Sequence, residues 1–162
     1  MRVVVLMGVT GAGKTTVGQQ LAAALGWTFV EGDAFHPPAN IAKMHRGEPL
    51  DDADRAPWLR AIRQRIDELV ASGQSAVIAC SALKRAYREM LARDRPEVIF
   101  VHLEASASLI AERLRHRTGH FMPPALLESQ LETLEEPAGS LAVDAGLPPA
   151  AVVAAIRRGL SL

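Results

Sequence analysis

Gly8-Val9-Thr10-Gly11-Ala12-Gly13-Lys14-Thr15 has the spacing G-x-x-x-x-G-K-[ST], a phosphate-binding loop when a strand precedes it and a helix follows. Both flanks are present: the apolar run Val3 to Met7 leads in, and the helix-like stretch Thr16 to Leu25 leads out. Such a turn aims successive backbone N–H groups, from Gly8 through Thr16, and the positive end of the helix at one point where polyphosphate can sit. Gly8 and Gly13 permit the turn and the close approach. Lys14 supplies a point charge for the β- and γ-phosphates, and the Thr15 hydroxyl is a ligand for Mg²⁺. The expected occupant is a nucleotide with its magnesium ion.

Two carboxylates come next. Val30-Glu31-Gly32-Asp33 closes a second strand-like segment, and residues two apart on an extended chain share a face. Open α/β sheets bind ligands at the carboxyl ends of their strands. One carboxylate, Glu31, is expected to organise the magnesium shell, directly or through water. The other, Asp33, is expected to take the proton of a hydroxyl attacking the γ-phosphate. A lone acidic pair is more simply a solvated strand end. Beside a phosphate loop the chemical reading takes precedence, because phosphoryl transfer needs a metal site and an oriented nucleophile.

The elements that must position these groups follow from apolar periodicity. Strands are expected at Val3 to Met7, Thr28 to Val30, Ala76 to Cys80, Val98 to Leu103 and near Leu141 to Val143. Leu59, Ile62, Ile66, Leu69 and Val70 recur at helical spacing and stop at Ser72-Gly73. Further helices are marked by Leu109, Ile110 and Leu114, by Leu126 to Leu134 after Pro123-Pro124, and by Val152, Val153 and Ile156. Alternation of strands with amphipathic segments predicts an α/β fold, a parallel sheet covered on both faces. No linker divides the 162 residues, so one domain spanning 1–162 is expected.

A longer pattern carries a resemblance. Asp33, His36-Pro37, Asn40 and Lys43-Met44 spell D-x-x-H-P-x-x-N-x-x-K-M, and Gly47 to Leu59 spell G-x-P-L-x-D-x-D-R-x-P-W-L. Cys80-Ser81-Ala82-Leu83-Lys84 with Tyr87-Arg88, Arg117-Thr118-Gly119-His120-Phe121-Met122, and Gln130 to Pro137 continue the series. Together these blocks, running to about Pro137, resemble the small P-loop gluconokinases. The resemblance implies ATP-dependent phosphorylation of D-gluconate on its 6-hydroxyl. It also implies a nucleoside monophosphate/shikimate kinase-like fold with a five-stranded parallel sheet of order 2-3-1-4-5, a mobile lid at about 117–124, a substrate-binding helical insert at about 34–60, and homodimers as in many relatives.

Gluconate is a polyol with one carboxylate, so its site calls for cations and several hydrogen-bonding groups. His36, Asn40, Lys43, Arg55, Lys84, Arg88, His120 and Gln130 have that chemistry. Lys84 and Arg88 are favoured, as exposed cations beside a strand-end turn that face the cleft. His36 as a helix cap, and Arg55 paired with Asp51 or Asp52, are the structural alternatives, and Trp58 reads as packing. In Arg113-Leu114-Arg115-His116-Arg117, spacing puts Arg113 and Arg117 on one helix face. At the base of a lid they are expected to contact the nucleotide and stabilise the transferring phosphoryl group; a solvated basic face is the plain alternative.

Composition narrows the remaining classes. Eighteen basic residues balance eighteen acidic ones, which gives no reason to expect nucleic acid or an anionic membrane as the partner. The single cysteine, Cys80, lies in an apolar run and reads as a buried, inert thiol. No run approaches the roughly 20 apolar residues of a bilayer span, and a cytoplasmic protein is expected. Rival functions are a kinase of another small hydroxy acid such as shikimate, a nucleoside monophosphate kinase, or a non-catalytic nucleotide-binding regulator. The aromatic content of 4% argues against a base-stacking acceptor pocket, and no N-K-x-D guanine motif is present.

Overall fold

β1 (Val3–Met7) is the centre of the molecule because water reaches neither of its faces: all five residues have 0% exposure. Strands covered on both sides read as continuous apolar runs, and VVVLM is one. The computed structural model describes residues 1–116 and 124–162. After β1 come α1 (Lys14–Leu25), β2 (Thr28–Glu31), a 3₁₀ turn (Gly32–Phe35), α2 (Pro38–His45), α3 (Asp52–Ala71), β3 (Ala76–Ala79) and α4 (Arg85–Ala92). β4 (Val98–Glu104), α5 (Ala107–Arg115), α6 (Pro124–Thr133), β5 (Leu141–Asp144) and α7 (Pro149–Leu160) complete the chain.

The strands form one parallel sheet of order β2-β3-β1-β4-β5, as the resemblance implied. Alternate β1 residues face opposite layers. Val3, Val5 and Met7 pack with Trp58, Ile62, Ile66 and Leu69 of α3 and with Tyr87 and Leu91 of α4. Val4 and Leu6 pack with Leu21 of α1 and Val152 and Ile156 of α7. A third cluster, Val9, Leu83, Ile110 and Leu127, lies under the phosphate loop and joins it to α5 and α6. The chain leaves β1 in one direction across the sheet towards β2 and later in the other towards β4, so a crevice opens at the carboxyl ends of β1 and β3.

Expected elements agree with those observed to within a few residues, with one addition. α4 was not anticipated: it is short, and its apolar positions Tyr87, Met90 and Leu91 are interrupted by Arg85, Arg88 and Glu89. Cys80 is buried as expected, and burial pushes its thiol up to about 12, far from any thiolate chemistry.

Gly32, between the two carboxylates, is held by proximity. A Cβ there would sit 2.3 Å from the carbonyl oxygen of Ala79 at the end of β3, and the Gly32 carbonyl accepts a 2.8 Å hydrogen bond from the Trp58 indole. Gly32→Ala must therefore push the 3₁₀ turn off the sheet. It is expected to cost about 1–3 kcal/mol, the usual scale of overpacking, in urea unfolding, and to lower turnover because Glu31 and Asp33 move with the turn.

Candidate active site

The phosphate loop occupies residues 8–15 between β1 and α1. Gly13 is the N-cap of α1 and has φ +94°, a left-handed conformation that side chains disfavour. Val9 and Ala12 are buried, so their side chains anchor the loop while only their backbone is available to a phosphate. The Lys14 ammonium lies back over the loop, donating to the carbonyls of Gly8 (2.8 Å) and Val9 (3.0 Å). Thr16 is exposed on the first turn of α1.

The Thr15 hydroxyl donates to Glu31 Oε2 at 2.5 Å, and Glu31 Oε1 accepts from the Asp33 N–H at 3.3 Å. The tip of β2 is thereby tied to the start of α1. This donor set suits magnesium, which prefers one or two protein oxygens completed by phosphate and water to a dedicated cage. Among the described residues no group of three or more His, Cys, Asp or Glu is arranged to hold a metal. The Asp33 side chain is exposed and has neither a hydrogen bond nor an ion pair among the described residues.

A cavity of about 510 Å³ opens over these groups. Its lining joins the phosphate loop, from Thr10 to Thr15, to Asp33, His36, Arg55 and Trp58 on one side and Ser129 and Gln130 of α6 on another. Ile41, Met44, Pro49 and Leu50 supply an apolar wall.

The segment between β2 and α3 is locked by Asp54. Asp51 caps α3 by accepting from the Asp54 N–H (2.7 Å), and Asp54 Oδ2 accepts in return from the Asp51 N–H (3.0 Å), a reciprocal capping box. The same Oδ2 takes a 2.7 Å bond from Lys43, while Asn40 donates to the Asp54 carbonyl at 2.8 Å. The N-x-x-K spacing puts Asn40 and Lys43 on one face of α2, and both reach this node. The Asn40 amide also lies 3.2 Å from His36 Nδ1. An amide nitrogen has only protons to give, so Nδ1 accepts and the ring proton resides on Nε2. The imidazole stacks on the Trp58 indole, centroids 4.3 Å apart.

The chain is similar to several known proteins. A family model described as an AAA domain matches residues 3–137. A gluconokinase of Gluconobacter oxydans (strain 621H) is 57% identical over 136 residues, covering 84% of this chain and 76% of that protein. The chain belongs to the gluconokinase family. Two crystal structures agree along its whole length. A gluconokinase from Sinorhizobium meliloti 1021 is 51% identical with a TM-score of 0.89, over 99% of this chain and 91% of that one. A sugar kinase from Janibacter sp. HTCC2649 is 47% identical with a TM-score of 0.92, over 99% and 95%.

Within this gluconokinase fold the residues read from the sequence separate into groups. Lys14, Thr15, Asp33, His36, Arg55 and Gln130 line the cavity, and Gln130 Oε1 accepts from the Thr10 N–H at 2.8 Å. Asn40 and Lys43 instead hold the insert together. The expectation that Arg88 is an exposed cation facing the cleft is corrected. It is 7% exposed and donates to the carbonyls of Ala82, Leu83 and Glu135 at 2.7–3.0 Å, fastening the β3–α4 turn to the chain beyond α6. Lys84 is also redirected, since its ammonium pairs with Asp52 at 2.8 Å and is not among the groups that line the cavity. Arg113 donates to the carbonyls of Gly11 and Ala145, bridging the phosphate loop and the turn after β5. Arg117, His120 and all but the end of the expected lid lie outside the described residues. Arg55 pairs with neither Asp51 nor Asp52; its guanidinium donates to the Tyr87 hydroxyl at 3.2 Å. Tyr87 entered the sequence reading only as part of a motif, with no role assigned, although helical spacing from Lys84 could have brought it to notice; Trp58 packs in the core as read and also stacks on His36.

Burial lowers the His36 pKa from its ordinary 6.5; Asp33 opposes the shift and Arg55 reinforces it. Above 6.5 the ring is neutral in folded and unfolded chains alike. Below 6.5, until the lowered folded value is reached, the unfolded chain binds the proton and the folded one does not, so stability falls as the pH drops. The same direction holds for His102, buried in β4. Unfolding free energy is expected to decline as the pH is taken from about 7.5 to 5.5, and His36→Gln to remove part of that slope in paired denaturation curves.

Proposed function

We propose that this protein transfers the γ-phosphoryl group of ATP to the 6-hydroxyl of D-gluconate, yielding 6-phosphogluconate and ADP. The observation that carries the reading is the single cavity in which a phosphate loop, an unpaired carboxylate and a guanidinium meet, in a chain of the gluconokinase family. The loop amides and Lys14 bind the donor phosphates and hold them for attack. Thr15 and Glu31, the latter directly or through water, would hold magnesium, which when bound would supply positive charge to the phosphate oxygens. Asp33 orients the acceptor hydroxyl and takes its proton as the new O–P bond forms and the bridging bond to the β-phosphate breaks. The hydroxyls and amides of the lining, among them Ser129 and Gln130, suit a polyol, and the apolar wall shields the reacting atoms from water.

An ADP-release assay with Mg·ATP against D-gluconate, D-glucose and shikimate tests the assignment. Gluconate is expected to stimulate release and glucose is not, because a neutral sugar leaves a cation of the closed site unpaired, at a cost of about 1–3 kcal/mol or more. A better rate with shikimate or glucose would remove the assignment. Asp33→Asn is expected to lower kcat by about 10²-fold or more with ATP affinity near wild type, whereas Lys14→Ala weakens ATP binding itself. Single-turnover kinetics and nucleotide titration separate the two.

A further inference from the structure

Among the described residues that line the cavity, two carry a permanent positive charge, Lys14 and Arg55. Lys14 belongs to the phosphate loop. Arg55 is on the first turn of α3 and lines the same cavity, and among the described residues no carboxylate lies within ion-pairing distance of it. Its surroundings explain why. Asp52, three residues before it on α3, is already engaged: its Oδ1 accepts from Lys84 at 2.8 Å and from the Tyr87 hydroxyl. Tyr87, donating its O–H to Asp52, presents an oxygen lone pair to the Arg55 guanidinium at 3.2 Å. The ring of Tyr87 is also 5.7 Å from the Arg55 guanidinium carbon and 5.7 Å from the Lys84 ammonium. Lys84 thus neutralises Asp52, Asp52 fixes the Tyr87 hydroxyl, and Tyr87 holds Arg55 in place without cancelling its charge.

Resting on the reading of the cavity as a gluconate site, we propose that Arg55 is the group that receives the substrate carboxylate, with Tyr87 as its positioning residue. A planar guanidinium matches a carboxylate through two parallel N–H···O bonds, and one N–H taken by Tyr87 leaves others for the ligand. The carboxylate and the 6-hydroxyl stand at opposite ends of gluconate's carbon chain. Arg55 at one end and Asp33 at the other set the direction in which the acceptor enters, and His36 lines the same cavity. Arg55 accordingly selects an aldonic acid over the corresponding alditol.

D-glucitol is the discriminating probe, because it replaces the carboxylate with a hydroxymethyl group and retains the 6-hydroxyl. Wild type, Arg55→Ala, Arg55→Lys and Tyr87→Phe are compared in kcat and KM for gluconate, glucitol and ATP. Arg55→Ala is expected to raise the gluconate KM by about 10²-fold and to erase most of the preference for gluconate over glucitol, with the ATP KM within about threefold of wild type. Guanidinium ion added to Arg55→Ala is expected to restore part of the gluconate rate and none of the glucitol rate. Arg55→Lys keeps the charge without the fork and falls between. Tyr87→Phe is expected to raise the gluconate KM by about 3–10-fold with kcat little changed. An Arg55→Ala enzyme that keeps its preference for gluconate overturns the assignment. A Tyr87→Phe enzyme altered only in its unfolding midpoint overturns the positioning role. Failure of the wild type to phosphorylate gluconate is a different result, which removes the underlying reading instead.

Discussion

The constraint on which the site depends is the closeness of the Gly32 backbone to the end of β3. With 2.3 Å between an imagined Cβ and the Ala79 carbonyl oxygen, no other residue fits without moving the chain. That approach brings the tip of β2 beside the mouth of the phosphate loop, where Glu31 reaches the Thr15 hydroxyl. Trp58 secures the same point from the other side through its indole N–H. A strand end, a helix start and the first turns of α3 therefore converge on one peptide unit, and the carboxylates on either side of it inherit their positions from that packing.

Outward from this point the molecule divides into an apolar packed base and a wall held by polar links. The base is the sheet with its two apolar layers, in which β1 contributes alternate side chains to each. Close-packed interiors of this kind transmit displacement with little loss. The wall is the segment from α2 to the start of α3, whose order comes from polar links converging on Asp54 and not from a core of its own. Hydrogen-bonded networks specify geometry more than they add net stability. Such a network suits a surface that must match one polyol.

Much of this was legible in the sequence because it rests on local rules. The loop spacing, the apolar strands and the stop at Ser72-Gly73 each follow from backbone geometry within a few residues, and the sheet order came with the family resemblance. What stayed hidden depended on partners distant in the chain. Arg88 looks like a surface cation until the carbonyls of Ala82, Leu83 and Glu135 are seen around it, and only the fold brings Glu135 there. Lys84 and Asp52 are separated by 32 residues, so nothing local announces their pairing. Tyr87 is one hydroxyl in an arginine-rich stretch, and its importance comes from standing between Asp52 and Arg55.

The buried thiol of Cys80 gives the chain a built-in reporter. It is the only sulfhydryl in the sequence, it is 1% exposed at the end of the strand next to β1, and its high pKa leaves almost no thiolate at neutral pH. An alkylating reagent can reach it only when the sheet opens, so the labelling rate becomes a clock for excursions out of the native state. Any ligand that clamps the crevice above Cys80 slows that clock, and its binding can be followed by mass spectrometry with no probe attached to the protein.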